Sequence, residues 1–442
     1  MAVDQLGFPL PARTAVGELA LRSVLAASTA AARLAGVAEP EATDLDPVRV
    51  AIAYSSERWL RVGGERPTAF APLSGFFATD DGWVRTHGNY PHHARAMRAA
   101  LGLAADAGRE AAASAFLRQP AKVVAERITA AGGLCVPVDV EDPDADAALR
   151  AAPLVRSEPI RSEPIRSERI GADRVSAASV PLRGADPHAP LAGIRVLDLT
   201  RVIAGPVATR TLALLGADVL RIDAPQLPEL PWQHLDTGHG KRSALLDLRD
   251  SAARRTFDGL LASADVVVLG YRAAALDRLG LAPAQLAERR PGIIVARLSA
   301  WGSPDRRGFD SLVQAASGIA WIESPDGSTP GALPAQALDH SAGYLLAAEI
   351  MTLLSRRADE GGSWIAETSL RRVAAELLGL PRSPEPPAQP PLQAPAESVQ
   401  EFDVDGIQVT TAAPALSYPG APTRFRAPRP WGGDIAEWSS AP

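Results

Sequence analysis

Residues 190–223 read PLAGIRVLDLTRVIAGPVATRTLALLGADVLRID. Within them 194–200, IRVLDLT, is a short apolar run of the kind found in strands buried on both faces. A loop with small residues follows, then a helical segment, VATRTLALLG (207–216), then a second strand, ADVLRID (217–223). The alternation continues through SALLDLRD (243–250), a helix to about residue 262, ADVVVLGY (264–271), a short helix and GIIVARLSAWG (292–302). Strands and helices alternating in units of this length predict an α/β fold with a doubly wound, Rossmann-like parallel sheet, here over 191–380.

Outward from this block the pattern changes. Residues 15–36 read as an amphipathic helix stopped by Gly36. VRVAIAY (48–54), WLRVGG (59–64) and GWVRTHG (82–88) predict short strands, the last after the turn Asp80-Asp81-Gly82. HHARAMRAALG and 122–133 predict helices, and LCVPVDV (134–140) a further strand. Residues 1–150 thus read as a smaller α+β domain. In 155–170, VRSEPIRSEPIRSERI, the unit RSEPI occurs twice and then once more as RSERI. So short a period with alternating charge predicts a solvated linker, assigned to 151–190. At the other end, 381–442 reads as a proline-rich linker, PRSPEPPAQPPLQAPAE, and a closing segment with strand-like VQEFDVDGIQVTT.

The 442 residues are 46% hydrophobic and 22% charged, with a net charge of −6. That is an ordinary globular mixture without the basic character of a nucleic-acid binder. Cys135 is the single cysteine, so neither an intramolecular disulfide nor a cysteine zinc cluster is expected. No apolar run approaches a membrane span, and the N-terminus lacks the pattern of a signal peptide. A cytoplasmic protein with no nucleic-acid or membrane partner is the expectation.

In a doubly wound sheet, ligands bind beyond the carboxyl ends of the strands. The first such loop, Thr200–Pro206, lacks GxGxxG, which disfavours a dinucleotide. It still brings small residues to a helix start, a setting suited to phosphate or to a closely packed cofactor. Gly238-His239-Gly240-Lys241-Arg242 sets two cations in a glycine-bearing turn, although a solvated charged turn reads the same way. In PAQALDHSAGYLLAAEI (334–350), Asp339 stands at the head of an apolar helix. An N-cap and a catalytic carboxylate are both consistent with that position.

Taken together, 190–223, GHGKRSALLDLRD (238–250), ADVVVLGYRAAALDRLGL (264–281), RPGIIVARLSAWG (290–302), RRGFDSLVQAASG (306–318) and ALDHSAGYLLAAEIMTLLSRR (337–357) resemble a family III CoA-transferase. This is the group of formyl-CoA and carnitine CoA-transferases. Residues 76–102 and 123–140 resemble the family's small domain, which there follows the catalytic aspartate; here it precedes the large domain, so the order is rearranged. The resemblance implies Asp339 as nucleophile, forming first a mixed anhydride and then an aspartyl-CoA thioester. A helix N-terminus would keep such a carboxylate ionised near pH 7. It further implies coenzyme A or acyl-CoA as substrate, bound by Arg201, Val202, Ile203, Ala204, Gly205, Lys241, Arg242, Arg272 and Arg278. A carboxylic acid as second substrate, no metal, and a homodimer are also implied.

Two departures stand out. Ile203 replaces a glutamine of formyl-CoA transferases, and no glycine-rich flap follows Asp339. The apolar Ile203 and Phe309 favour a hydrophobic or medium-chain acid over oxalate. Related α-methylacyl-CoA racemases pair the aspartate with the histidine of a Gly-His-Asp motif. This chain has Gly308-Phe309-Asp310, which disfavours proton exchange. A non-catalytic CoA-binding protein is the remaining alternative. His340 reads as a cap-region or packing residue, His87, His92 and His93 as solvated residues at a helix start, and Tyr90 as packing of the small domain.

Overall fold

The computed structural model describes residues 8–160, 186–303, 306–386 and 392–439. In chain order the strands are β1 (Arg61–Val62), β2 (Gly75–Ala78), β3 (Trp83–Thr86), β4 (Cys135–Pro137), β5 (Arg156–Pro159), β6 (Arg195–Leu199), β7 (Asp218–Asp223), β8 (Arg242–Leu245), β9 (Val266–Leu269), β10 (Ile294–Ser299), β11 (Trp364–Ser369), β12 (Val399–Val404) and β13 (Ile407–Ala412).

The largest sheet has the order β5-β11-β10-β9-β6-β7-β8. Neighbours from β11 to β8 are all parallel, and β5 adds an antiparallel edge. Alternate side chains enter two cores, one on each face. Val196, Val219, Val268 and Ile294 meet helices Val16–Ala35, Ala204–Leu214, Ala337–Glu360 and Leu370–Leu378. Leu197, Leu220, Val267 and Val295 meet helices Ser251–Leu261 and Pro283–Arg289. Burial on both faces is why these strands read as continuous apolar runs. Helices Ala204–Leu214 and Ala337–Glu360 lie against one another at Gly343. A Cβ there would stand 2.6 Å from the Ala204 carbonyl oxygen and 2.8 Å from the Val207 Cβ. That close approach brings Asp339, one turn earlier, beside the loop after β6.

A separate sheet, β2-β3-β4, is covered by helices Pro91–Leu101, Arg109–Phe116 and Ala121–Ala130 around Phe77, Val84, Met97 and Phe116. β12 and β13 form a hairpin to which β1 adds a third strand. Asp405 and Gly406 both take positive φ in the hairpin turn, as an Asp-Gly pair readily does.

The local structure departs from the sequence reading in several places. Residues 48–54 lie in a helix, Pro47–Tyr54, not a strand. Asp46 accepts a hydrogen bond from the Val48 amide at 2.9 Å and Pro47 occupies the first turn, so the cap outweighs the β-branched content. Of the expected strand 59–64 only β1 is extended, because helix Ser56–Trp59 takes its start. Helix Val16–Ala35, expected in the small unit, packs in the core of the large sheet. The first repeat of the 155–170 segment is β5, since pairing with β11 satisfies its backbone. The rest of the repeat falls outside the described residues. No helix among the described residues is long and apolar enough to cross a membrane.

Candidate active site

At the carboxyl ends of β6, β7, β9, β10 and β11 lies a cleft of about 440 Å³. It opens where the strand order reverses between β6 and β9, the position at which such sheets leave a crevice. The small unit closes one wall with Tyr90, His92 and His93, and the large unit brings Arg201, Arg272, Phe309 and Asp339.

Asp339 is the third residue of helix Ala337–Glu360, is 7% exposed, and lines the cleft. It is not the cap. Gln336 holds the cap position without a side-chain hydrogen bond. The first turn is instead held from below by Asp310, fully buried, whose Oδ2 accepts from the Asp339 amide at 2.9 Å. Gln314 Nε2 donates to Oδ1 of Asp310, and Gln314 Oε1 accepts from the Leu333 amide at 2.9 Å. Asp310 performs the capping, and the Asp339 side chain is left to the cleft.

Two buried carboxyl groups therefore face one another. Burial first, and then the charge of Asp310, push Asp339 well above the carboxylate range. Burial also raises Asp310, to about 6, against the pull of the Asp339 amide, Gln314 and the Leu338 amide. Asp310 holds the hydrogen-bond donors, so of the two it is the more readily ionised and Asp339 holds its proton the more tightly. The helix start that was expected to favour an ionised Asp339 is spent on Asp310 instead, and burial raises Asp339.

The loop after β6 is fixed from behind. Val202 has φ of +72°, a left-handed conformation costly for a β-branched residue. Its amide donates to Glu229 Oε2 at 2.9 Å. Glu229 also accepts from the Tyr90 hydroxyl at 2.7 Å and pairs with Arg221 at 3.1 Å and Arg201 at 3.4 Å. Burial opposes ionisation of Glu229, but Arg221 and Arg201 hold it down at about 2. The Arg201 guanidinium lies 4.4 Å from the centre of the Tyr90 ring, which orients it over the small unit.

Of the residues expected to hold CoA, Arg201, Val202, Ala204 and Arg272 line the cleft, and Ile203 lines an adjoining smaller cavity. Gly205 is buried, and a Cβ there would collide with Thr200, so it serves close packing. Lys241 does not reach the cleft. It is 2% exposed, and its Nζ donates to Asp198 at 3.0 Å, the Pro206 carbonyl at 2.8 Å and Thr209 at 2.6 Å. Arg242 pairs with Asp218 at 2.7 Å and with the Glu437 carbonyl. Arg278 is exposed at the end of helix Ala273–Arg278, off the cleft wall.

The cleft also holds cations that sequence reading did not single out, Arg306 and Arg307, both exposed. Arg306 stacks 3.7 Å from the Trp301 ring centre. Their signal was the adjacent pair in RRGFD. His87 and His93 are buried rather than solvated, and the His87 ring stacks on Phe309, centroids 3.7 Å apart. Burial lowers both to about 3. His340 packs as expected, 5.2 Å from Tyr54. Tyr90 does more than pack, since its hydroxyl bonds Glu229. Arg201, Arg272, Arg306 and Arg307 around one cleft fit a ligand with several phosphates. Among the described residues no cluster of metal-ligating side chains is present.

Residues 191–381 match the family described as CoA-transferase family III. Similar proteins include the "Probable fatty acyl-CoA transferase" of Mycobacterium tuberculosis, 33% identical over 44% of this chain and 53% of that protein. A formyl-CoA:oxalate CoA-transferase of Rhodopseudomonas palustris is 31% identical over 39% of this chain and 44% of its own. The succinyl-CoA:glutarate CoA-transferase of Mus musculus is 29% identical over 43% and 47%. The chain spans about half the length of the curated relatives it matches.

Proposed function

We propose that the protein, whose residues 191–381 match CoA-transferase family III, moves CoA between an acyl-CoA and a free carboxylic acid through Asp339. The observation that carries this reading is the placement of Asp339 on the cleft wall, with its helix capped by another carboxylate. An Oδ of Asp339, once its proton has left, attacks the thioester carbonyl carbon. The C–S bond breaks, CoA departs as thiolate, and a mixed anhydride remains on Asp339. The thiolate then attacks the Asp339 acyl carbon and releases the donor acid as its carboxylate. The acceptor carboxylate attacks the resulting aspartyl thioester, and the same steps in reverse deliver the new acyl-CoA. Arg201, Arg272, Arg306 and Arg307 hold the phosphates. Phe309 carries no exchangeable proton, so racemisation draws no support from the site.

The reversal of strand order between β6 and β9 supports reading the large sheet as doubly wound and Rossmann-like. A homodimer acting on small-molecule acyl-CoA and acid is proposed from the resemblance.

Intact-mass spectrometry after incubation with a panel of acyl-CoAs and a hydroxylamine quench tests the mechanism. A hydroxamate at Asp339, with none in Asp339→Ala and transfer reduced by roughly 10³-fold or more, is the expected outcome. Measurable CoA binding with no adduct from any donor would remove Asp339 as nucleophile.

A further inference from the structure

Asp339, Val202, Tyr90 and Phe309 belong to two cavities at once. Beyond the arginine-lined cleft they also wall a smaller one of about 40 Å³. Part of its wall is apolar, with Ile203 and Trp232. The remainder is polar in an unusual way. Gln233 is 4% exposed and its Nε2 has no hydrogen-bond partner; His87 is 5% exposed and its Nδ1 has none either. Buried polar atoms left unpaired are rare in folded proteins and call for an explanation. Here two of them line one small cavity that also contains the proposed nucleophile. Asn89, on the same wall, differs: its Oδ1 accepts from Ala71 and Ser74 and its Nδ2 donates to Ala69. Of the fully buried unpaired polar atoms among the described residues, those on this wall belong to Gln233 and His87.

We propose that this cavity seats the acyl group carried by Asp339, and that the acid is a short one bearing an uncharged hydroxyl or carbonyl oxygen beyond its carboxyl group. The size sets the length. A water needs about 10–15 Å³ of such volume, so the cavity takes about three or four non-hydrogen atoms. This is too little for the medium-chain acid expected from Ile203 and Phe309. The polar pair sets the chemistry. Gln233 Nε2 is a donor and requires an oxygen, while a neutral imidazole nitrogen on His87 meets the same oxygen as donor or acceptor. A second carboxylate would add charge beside Glu57, which burial raises to about 7, and close to the buried Asp310 behind Asp339, so an uncharged oxygen fits the cavity better. The inference rests on the transferase reading for the identity of the ligand, and its test is made at the level of binding.

Equilibrium binding of 3-hydroxypropionyl-CoA, butyryl-CoA and octanoyl-CoA is measured on full-length Asp339→Asn, which cannot form the anhydride. The hydroxylated thioester is expected to bind roughly five- to tenfold more tightly than its isostere butyryl-CoA, and octanoyl-CoA more weakly than both. Adding Gln233→Leu should bring the first ratio to about one, and His87→Phe, a second variant should the first fail to fold, should lower it as well. Ratios are taken within each protein, so a general weakening cancels. Octanoyl-CoA binding tightest, a ratio unmoved by either substitution, or no binding of any thioester overturns the proposal. Failure to detect an Asp339 adduct removes the transferase reading and leaves the ratio intact; adduct formation that favours octanoyl-CoA does the reverse.

Discussion

Two buried charge clusters flank the loop after β6, and they are built on opposite principles. Behind the loop, Asp198 faces Lys241 at 3.0 Å. Its Oδ1 also accepts from the Thr200 amide at 3.0 Å and its Oδ2 from the Thr209 hydroxyl at 2.6 Å. Burial would push the Asp198 carboxyl up, but Lys241, Arg221 and the two threonines together hold it below its usual range. In front of the loop, Asp310 and Asp339 are like charges, and both are raised. The first cluster is complete without a ligand. The second is balanced only while one carboxyl holds a proton, and that carboxyl opens to a cleft. A perturbed carboxyl marks chemistry when its partner is of the same sign and solvent-facing space lies beside it; with an opposite, fully bonded partner it marks scaffold.

The comparison is tested hardest at Lys241. Burial lowers its ammonium to about 8, with Asp198 opposing the shift. In Lys241→Met, Asp198 would remain buried without a counter-charge, at a cost of about 3–5 kcal/mol of stability. Urea unfolding should show that loss, and Asp198→Asn added to it should recover a large part. The KM for CoA, measured well below the unfolding range, should change little. A KM raised tenfold with stability unchanged would make Lys241 a phosphate ligand and erase the contrast between the two clusters.

The sequence made one side of this contrast more visible than the other. β6, β9 and β10 were legible because burial on both faces leaves unbroken apolar runs. Asp339 was legible as a carboxylate heading an apolar helix. Asp310 was not, because its cap reaches across 29 residues to the Asp339 amide, and nothing local in Gly308-Phe309-Asp310 announces it. Lys241 misled for the same reason. A lysine in a glycine turn looks solvated until Asp198, 43 residues earlier, is known to lie opposite. The helix Pro47–Tyr54 was legible in principle, since Asp46-Pro47 is a start signal, but the Val and Ile content argued for a strand.

The Asp310–Asp339 pair makes the next prediction, of smaller size. Removing the Asp310 charge in Asp310→Asn leaves burial as the main force on Asp339. The acid limb of kcat/KM should then move to lower pH by about one unit, roughly 1.4 kcal/mol. Asparagine Oδ1 can still accept from the Asp339 amide, so the helix start survives. Stability carries a linked sign. Asp310 binds its proton more tightly in the folded chain than in the unfolded one, so stability falls as pH rises from the ordinary carboxylate range through about 6. In Asp310→Asn that slope should flatten. A limb that stays in place would mean that burial alone sets Asp339, and that the two carboxyls do not act as a pair.

The smallest effect is expected at Val202, the residue between the two clusters. Its φ of +72° is stabilised by the hydrogen bond from its amide to Glu229. A non-glycine residue in this region costs about 1–2 kcal/mol. Glycine would remove that cost but add about 0.5–1 kcal/mol of unfolded-chain entropy. Val202→Gly should therefore leave stability unchanged or raise it by up to about 1 kcal/mol. The loop would lose the side chain that lines both cavities, and glycine can leave the left-handed conformation without penalty. The KM for acyl-CoA should rise a few-fold while the position of the acid limb stays fixed, because neither carboxyl is touched. A clear loss of stability would show that the left-handed backbone at Val202 is not strained, and that the loop is held by packing rather than by the Glu229 network behind it.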